Sequence, residues 1–202
     1  MPFHGILQLT QNTLISDGAD STYKVWSLAS NIKIPQQVFY DTDDQIKSAD
    51  FRADGIHVCM DNEGNIVFRN INKNNEFTVK KLPKQVYNFV KFNQFNEYEY
   101  YVSGKDSFRI YDIRTFQEIC EISQFRNSLD IYNDNCHNYL ISKRDSVNYF
   151  SYDVNQQKFN EIKNWELNDI SCLSINNHSF RNPDIITIGC DKGDLYYSNI
   201  IE

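Results

Sequence analysis

The chain has 202 residues, with 20 basic and 27 acidic side chains, which gives a formal net charge of −7. Nucleic-acid binding needs a basic surface that neutralises phosphates, so this balance disfavours a general nucleic-acid binder. No apolar run approaches the roughly 18 residues of a membrane span. The first residues, Met1–Gly5, show no basic region followed by an apolar core, so we expect no signal peptide.

The cysteines indicate a reducing compartment. There are five of them, an odd number, and none form a Cys-x-x-Cys pair. Four fall within or at the ends of predicted strands, where cysteine behaves as a small buried apolar residue. They are Cys59, Cys120, Cys172 and Cys190, and the fifth is Cys136. We therefore expect an intracellular protein, cytoplasmic or nuclear.

Short alternating apolar runs bounded by turn residues predict strands along the whole chain, and no apolar helical stripe is sustained over three turns. The first group of strands covers residues 1–40, with strands at His4–Leu9, Thr13–Ser16, Thr22–Leu28 and Asn31–Phe39. Further groups cover residues 45–82, 86–122, 128–164 and 169–202. The first four groups hold four strands each, and the last has room for only three.

One local pattern recurs in every group. A turn aspartate, which can hydrogen-bond its own backbone, precedes a strand that carries a large aromatic residue. The aspartates are Asp20, Asp61, Asp106, Asp145 and Asp191, and the aromatic residues are Trp26, Phe68, Tyr111, Phe150 and Tyr197. The aromatic residues follow one another at 42, 43, 39 and 47 residues. A period near 40–45 residues with about four strands per repeat is typical of a β-propeller.

The segment Leu14–Trp26, with its Asp20 turn, resembles the closing half of a WD40 repeat, and the resemblance covers nearly the whole chain. It implies an all-β WD40-like β-propeller, or an open part of one, with about five blades of four antiparallel strands. Residues 1–202 would form one region of a larger propeller. In that family the aspartate caps the turn between the second and third strands.

The sequence also departs from the family. Only Trp26 is a tryptophan among the five aromatic positions, and only Tyr111 is followed by aspartate. The family's Gly-His pair is absent, since His4 precedes Gly5. The buried hydrogen-bond network of many WD40 blades is therefore not expected, and apolar packing should hold the repeats together.

The missing fourth strand of the last group has three explanations. The chain is a fragment of a longer polypeptide, which we favour, or a partner supplies the missing part, or five blades close imperfectly. An open ring leaves strand edges and apolar faces exposed, which promotes association. A stable, compact monomer in light scattering would contradict the open ring.

No catalytic, cofactor-binding or metal-binding residues are predicted. There is no Gly-x-Ser-x-Gly elbow, no phosphate-binding glycine loop and no His-Glu-x-x-His motif. Cys136 and His137 are sequence neighbours whose side chains should diverge, so we do not interpret them as a nucleophile pair. The acidic cluster Asp41, Asp43 and Asp44 is either a solvated turn or a site for a cation or basic partner. It lacks the later ligands of a calcium loop.

Two loops between successive groups carry candidate protein-binding residues. Trp165 is predicted in one loop, and Phe125 and Arg126 lie in the equivalent loop one repeat earlier. Tryptophan and arginine dominate binding hot spots, so the three residues predict a contact patch on one rim. The alternative is that they pack between neighbouring repeats.

The resemblance implies a non-catalytic scaffold that mediates protein–protein interactions in a multi-subunit intracellular assembly, and we predict that the chain is not an enzyme. The alternative is a subunit of an RNA-containing complex, in ribosome biogenesis or RNA processing, with a local RNA contact. Tyr98, Tyr100 and Tyr101 lie beside acidic residues rather than basic clusters. We interpret them as ordinary strand packing and expect protein partners, one of which could complete the propeller.

Overall fold

The structure, a computed structural model, describes most of the chain. The described residues are 3–10, 13–18, 20–29, 34–40, 42, 44–52, 54–71, 73, 77–133, 137–153, 155–156, 158–175 and 186–198. Asp41, Asp43 and Cys136 lie outside them, as does the beginning of the predicted strand Asn31–Phe39. The described residues contain one three-residue 3-10 helix, Ser123–Phe125, and no α-helix. The predicted all-β class is confirmed.

The strands form five antiparallel sheets in which each strand pairs with its neighbour in sequence. Sheet 1 holds β1 (Phe3–Thr10), β2 (Thr13–Gly18), β3 (Tyr23–Ser27) and β4 (Gln37–Phe39). Sheet 2 holds β5 (Ile46–Phe51), β6 (Ile56–Asp61), β7 (Asn65–Asn70) and β8 (Phe77–Lys81). Sheet 3 holds β9 (Tyr87–Phe92), β10 (Glu99–Gly104), β11 (Phe108–Asp112) and β12 (Glu118–Glu121). Sheet 4 holds β13 (Asp130–Asn133), β14 (Asn138–Ser142), β15 (Ser146–Asp153) and β16 (Lys158–Glu166), and sheet 5 holds β17 (Ile170–Ile175), β18 (Ile186–Cys190) and β19 (Leu195–Ser198).

The sheets belong to two compact units, residues 1–126 and residues 127–202. In the first unit, the first strands of successive sheets are neighbours, because β1 lies beside β5 and β5 beside β9. Side chains of β5 hydrogen-bond directly to the backbone of β9. The Ser48 hydroxyl accepts from the amide of Val90 at 3.2 Å and lies 3.3 Å from its carbonyl. The Asp50 carboxylate accepts from the Phe92 amide at 2.8 Å.

Sheet 2 packs on both of its faces because apolar residues alternate along β6. Val58 and Met60 belong to a core shared with sheet 3, whereas Cys59 belongs to a core shared with sheet 1. The sheet 3 side contributes residues such as Val90 and Tyr100. Each fully buried large apolar side chain stabilises the fold by about 1.5–3 kcal/mol, so both cores hold the unit together.

The second unit contains sheets 4 and 5, whose first strands β13 and β17 are also neighbours. One core cluster of this unit contains Leu140, Val147, Ile170, Ile188 and Cys190. Sheet 5 has three strands in the described residues, as the sequence predicted, and β19 is its outer strand.

Two sequence-based placements were wrong. The outer strand of sheet 4 was predicted to end by residue 164, with Trp165 in a loop, but β16 continues to Glu166 and Trp165 pairs with Val147. The strand continues because β15 begins at Ser146, which pairs with Glu166. Cys120 was predicted to be buried, yet it lies exposed on β12.

Candidate interaction surfaces

The turn aspartate of sheet 2 is fully buried and organises its turn. The Asp61 Oδ1 atom accepts hydrogen bonds from the amides of Glu63 and Asn65, each at 2.9 Å. Its Oδ2 atom accepts from the Asn65 side-chain amide at 2.7 Å. Gly64 then adopts a φ of +82°, which favours glycine, and closes the turn onto β7.

The turn aspartate of sheet 1 makes a similar cap nearer to solvent. The Asp20 carboxylate accepts from the Thr22 hydroxyl at 2.7 Å and from the Lys24 ammonium at 2.6 Å. The hydrogen bond from Lys24, followed by that from Thr22, lowers the pKa of Asp20 to about 2. The remaining turn aspartates, Asp106, Asp145 and Asp191, are exposed. Asp61 is the last residue of β6, whereas the other aspartates of the repeat follow the ends of their strands, so the structure does not place the repeated aspartate at one equivalent position.

The predicted contact residues occupy different environments. Phe125 is 0% exposed and packs edge-on against Phe108 at a ring distance of 5.4 Å, so its ring cannot reach a partner. The neighbouring Arg126 is exposed and forms an ion pair of 2.8 Å with Glu121. The contact patch therefore loses Phe125, because the aromatic ring completes the core of sheet 3.

Trp165 is half-buried in its own sheet. It packs against the core of the second unit, and the Lys163 ammonium lies 4.9 Å from its ring centroid. Asp44, the described member of the acidic cluster, accepts from the Gln45 amide at 2.7 Å, and its carbonyl accepts from the Thr42 hydroxyl at 2.9 Å. This is turn geometry, and it assigns no ligand to Asp44.

A surface at one end of sheets 2 and 3 was not predicted from the sequence. It consists of Arg52, Phe95, Tyr98 and Arg114, and we call it the Tyr98 surface. Tyr98 is 44% exposed and Phe95 39% exposed, in the turn between β9 and β10. The Arg114 guanidinium lies 4.2 Å from the Tyr98 ring centroid. The Ile113 amide donates to the Tyr98 carbonyl at 2.8 Å, which fixes the two turns together.

The arginines of the Tyr98 surface are held by carboxylates. Arg114 pairs with Asp112 at 2.5 Å, which lowers the pKa of Asp112 to about 2. Arg52 pairs with Asp54 at 2.5 Å and donates to the Glu97 carbonyl. Tyrosine and arginine are enriched in interface hot spots, and these ion pairs restrict the arginine side chains before any partner binds. Tyr100 and Tyr101, in contrast, are buried in β10, which confirms their assignment to strand packing.

The second unit has a shallow polar cleft of about 540 Å³ beside the turn that follows β14. Asp145, Ser146, Asn164, Glu166, Leu167 and Asn168 line it. The Leu167 amide donates to the Asp145 carbonyl at 3.0 Å, so backbone bonds hold the cleft walls. The cleft brings together the carboxylates of Asp145 and Glu166, and the Ser146 hydroxyl lies 3.4 Å from the Asp145 carboxylate.

Two structural features are absent from the residues that the structure describes. Within those ranges, no group of three or more His, Cys, Asp or Glu side chains is arranged to hold a metal ion. None of the helical structure in the described part of the chain has the length and apolar character of a membrane crossing. Comparison with protein-family models finds no match, and comparison with curated proteins finds none either.

Proposed function

We propose that the chain is a WD40-like β-propeller, or an open part of one, that acts as a non-catalytic scaffold for protein–protein interactions in a multi-subunit intracellular assembly. The arrangement of first strands carries this proposal. In each unit, sheets whose strands pair in sequence order turn their first strands towards one another, as the blades of a propeller do. The period of the turn aspartates and aromatic residues supports the same assignment.

A scaffold presents side chains from turns that a rigid framework positions. The Tyr98 surface fits this description, because buried sheets 2 and 3 fix the turns that carry Tyr98 and Arg114. Exposed aromatic rings beside guanidinium groups provide contact area together with hydrogen-bond donors. We therefore assign the Tyr98 surface as a protein-binding site of the scaffold.

The test is quantitative affinity purification of the full chain from its native cells, followed by mass spectrometry. The Tyr98→Ala/Arg114→Ala variant should recover at least one stoichiometric protein about tenfold less well, since two hot-spot residues are removed. Its melting temperature should not change, because exposed ion pairs contribute little stability. The matched control is Lys84→Ala/Val86→Ala, two exposed residues before β9. Identical partners for all three proteins would contradict the assignment.

A second candidate, contact with RNA, is favoured by one observation. The stacked pair of Tyr98 and Arg114 has the aromatic and cationic character of single-stranded RNA sites. The carboxylate of Asp112 and the net charge of −7 oppose it. We expect no mobility shift of single-stranded RNA at low salt, and a shift that weakens with salt and with Arg114→Ala would replace the protein-binding assignment.

A further inference from the structure

Tyr98 differs from the other exposed tyrosines in the charges that surround it. The tyrosines that lie exposed among the described residues are Tyr40, Tyr98 and Tyr196. Of these three, Tyr98 is the one with a guanidinium group against its ring, since Arg114 lies 4.2 Å from the ring centroid. It also lies between Glu97 and Glu99 in the sequence. Protein contact alone does not require this arrangement of charges around one phenol.

The Tyr98 hydroxyl is accessible from solvent, because the side chain is 44% exposed in the turn between β9 and β10. It hydrogen-bonds to the Glu97 carboxylate, and this bond, followed by the negative charge of Glu97, raises the pKa of Tyr98. The positive charges of Arg114 and Arg52 act on the same phenol in the opposite sense. The hydroxyl therefore stays protonated at neutral pH while two guanidinium groups lie within electrostatic range of it.

Both arginines beside this phenol keep further N–H donors. A guanidinium group carries five of them in a planar fork. Arg114 uses two in its hydrogen bonds to Asp112. Arg52 uses two on Asp54 and one on the Glu97 carbonyl. Donors remain on each group, and arginine is the side chain that matches the geometry of phosphate best.

The backbone around Tyr98 is fixed without its hydroxyl. The Tyr98 amide donates to the Asn96 side-chain oxygen at 3.1 Å, and the Tyr98 carbonyl accepts from the Ile113 amide at 2.8 Å. Neither bond involves the ring. A chemical change at the phenol oxygen therefore alters the charge of the surface while the turn keeps its conformation.

We propose that Tyr98 is phosphorylated and that the phosphate, held by Arg114 and Arg52, releases protein partners from the Tyr98 surface. This inference rests on the proposed protein-binding function and assigns its regulation. A protein kinase would transfer the γ-phosphoryl group of ATP to the Tyr98 oxygen. The new P–O bond forms as the bond to the β-phosphate oxygen breaks, ADP leaves, and the phenolic proton passes to solvent.

The phosphate changes the Tyr98 surface in two ways. It replaces a neutral hydrogen-bond donor by a group of about −2 charge with three acceptor oxygens, so it repels the Glu97 carboxylate that the hydroxyl now contacts. It also attracts Arg114 in competition with Asp112, because a phosphate dianion carries twice the charge of a carboxylate. A partner that packs against the neutral ring would have to bury this dianion, so its affinity falls.

The first measurement maps phosphate on the full chain by tandem mass spectrometry, after purification from native cells in the presence of a tyrosine-phosphatase inhibitor. We expect phosphate on Tyr98. Modification that follows exposure alone would appear first at Tyr40, which is 78% exposed. Absence of phosphate from Tyr98, or a higher occupancy at Tyr40, would overturn the proposal.

The second measurement tests the arginines by phosphorus NMR on the full chain with phosphotyrosine incorporated at position 98 or, as a matched control, at position 40. The second pKa of such a phosphate is ordinarily about 6. The guanidinium groups favour the dianion, so this pKa should be at least about 0.5 units lower at position 98 than at position 40. The difference should disappear in the Arg52→Ala/Arg114→Ala background. Equal pKa values at the two positions of the otherwise unaltered chain would overturn the phosphate site.

The third measurement repeats the affinity purification with both phosphorylated proteins. Phosphate at position 98 should lower the recovery of the Tyr98-dependent partner about tenfold, as removal of the hot-spot side chain does, and phosphate at position 40 should leave it unchanged. Full recovery with phosphate at position 98, or a partner gained through it, would overturn the release of partners. If the unphosphorylated chain and Tyr98→Ala/Arg114→Ala recover the same partners, the protein-binding assignment fails, while the phosphorus NMR still decides whether the arginines hold a phosphate.

Discussion

Removal of the buried turn carboxylate Asp61 should destabilise the first unit far more than removal of the exposed turn carboxylate Asp106. Asp61 accepts three hydrogen bonds, two from backbone amides and one from the Asn65 side chain. At about 1 kcal/mol for each net hydrogen bond, Asp61→Ala should lower the free energy of unfolding by about 3 kcal/mol. Asp106 is the aspartate that the sequence repeat assigns to sheet 3, but it follows the end of β10 and is exposed, so Asp106→Ala should change the free energy of unfolding by at most about 0.5 kcal/mol.

Urea denaturation followed by tryptophan fluorescence measures this difference. The chain has one tryptophan in each unit, Trp26 and Trp165, so a Trp165→Phe background reports on the first unit alone. With a slope near 2 kcal/mol per molar urea, the midpoint of Asp61→Ala should fall by about 1.5 M. The slope itself should not change, because the buried surface is the same.

A conservative variant separates hydrogen bonding from burial. In Asp61→Asn, one oxygen can still accept the two backbone bonds, but the new amide faces the Asn65 amide. The loss should therefore lie between those of the two alanine variants. If Asp61→Ala and Asp106→Ala have equally small effects, the repeated aspartate does not stabilise the turn and the reasoning is wrong.

Two further predictions concern neighbouring residues and pH. Phe125→Ala should lower the free energy of unfolding by about 3–5 kcal/mol, because it leaves a cavity beside Phe108. Arg126→Ala should lower it by less than about 1 kcal/mol. Equal losses for the two variants in urea denaturation would contradict the burial of Phe125. The pKa of Asp20 is lowered from 3.8 to about 2, so its stabilising contribution is complete above pH 4 and is lost as the pH falls towards 2. The difference in urea midpoint between wild type and Asp20→Asn should shrink over this range, and a constant difference would show that Lys24 does not hold the carboxylate.

The strands and the sheet connectivity could be predicted because alternation of apolar residues and turn aspartates are local signals. In β6, for example, Val58 and Met60 lie on one face and Cys59 on the other. This alternation predicts the strand without any information about the sheets that pack against it. The end of β16 was missed because it is set by the start of β15, where Ser146 pairs with Glu166. The residues Asn164-Trp165-Glu166 do continue the alternation, which was a signal for a longer strand.

The interaction residues were harder to predict because exposure depends on distant parts of the chain. Phe125 follows a strand in sequence, and only the position of Phe108 shows that its ring is buried. Tyr98 looked like part of a strand, yet it lies in the turn before β10, where Arg114 from another turn reaches it. The hairpin register, which pairs Glu99 with Asp112, brings Tyr98 next to the turn that carries Arg114, but the pattern of the sequence did not show where the two strands end.

The polar contacts between β5 and β9 have a consequence for misassembly. β9 is an edge strand, and an edge strand normally recruits any extended chain that meets it in a crowded solution. Here the outward backbone groups of Val90 and the amide of Phe92 are already occupied by Ser48 and Asp50. Ser48 and Asp50 therefore occupy backbone groups of β9 that would otherwise be open to a further strand, and they protect this edge from pairing with another chain.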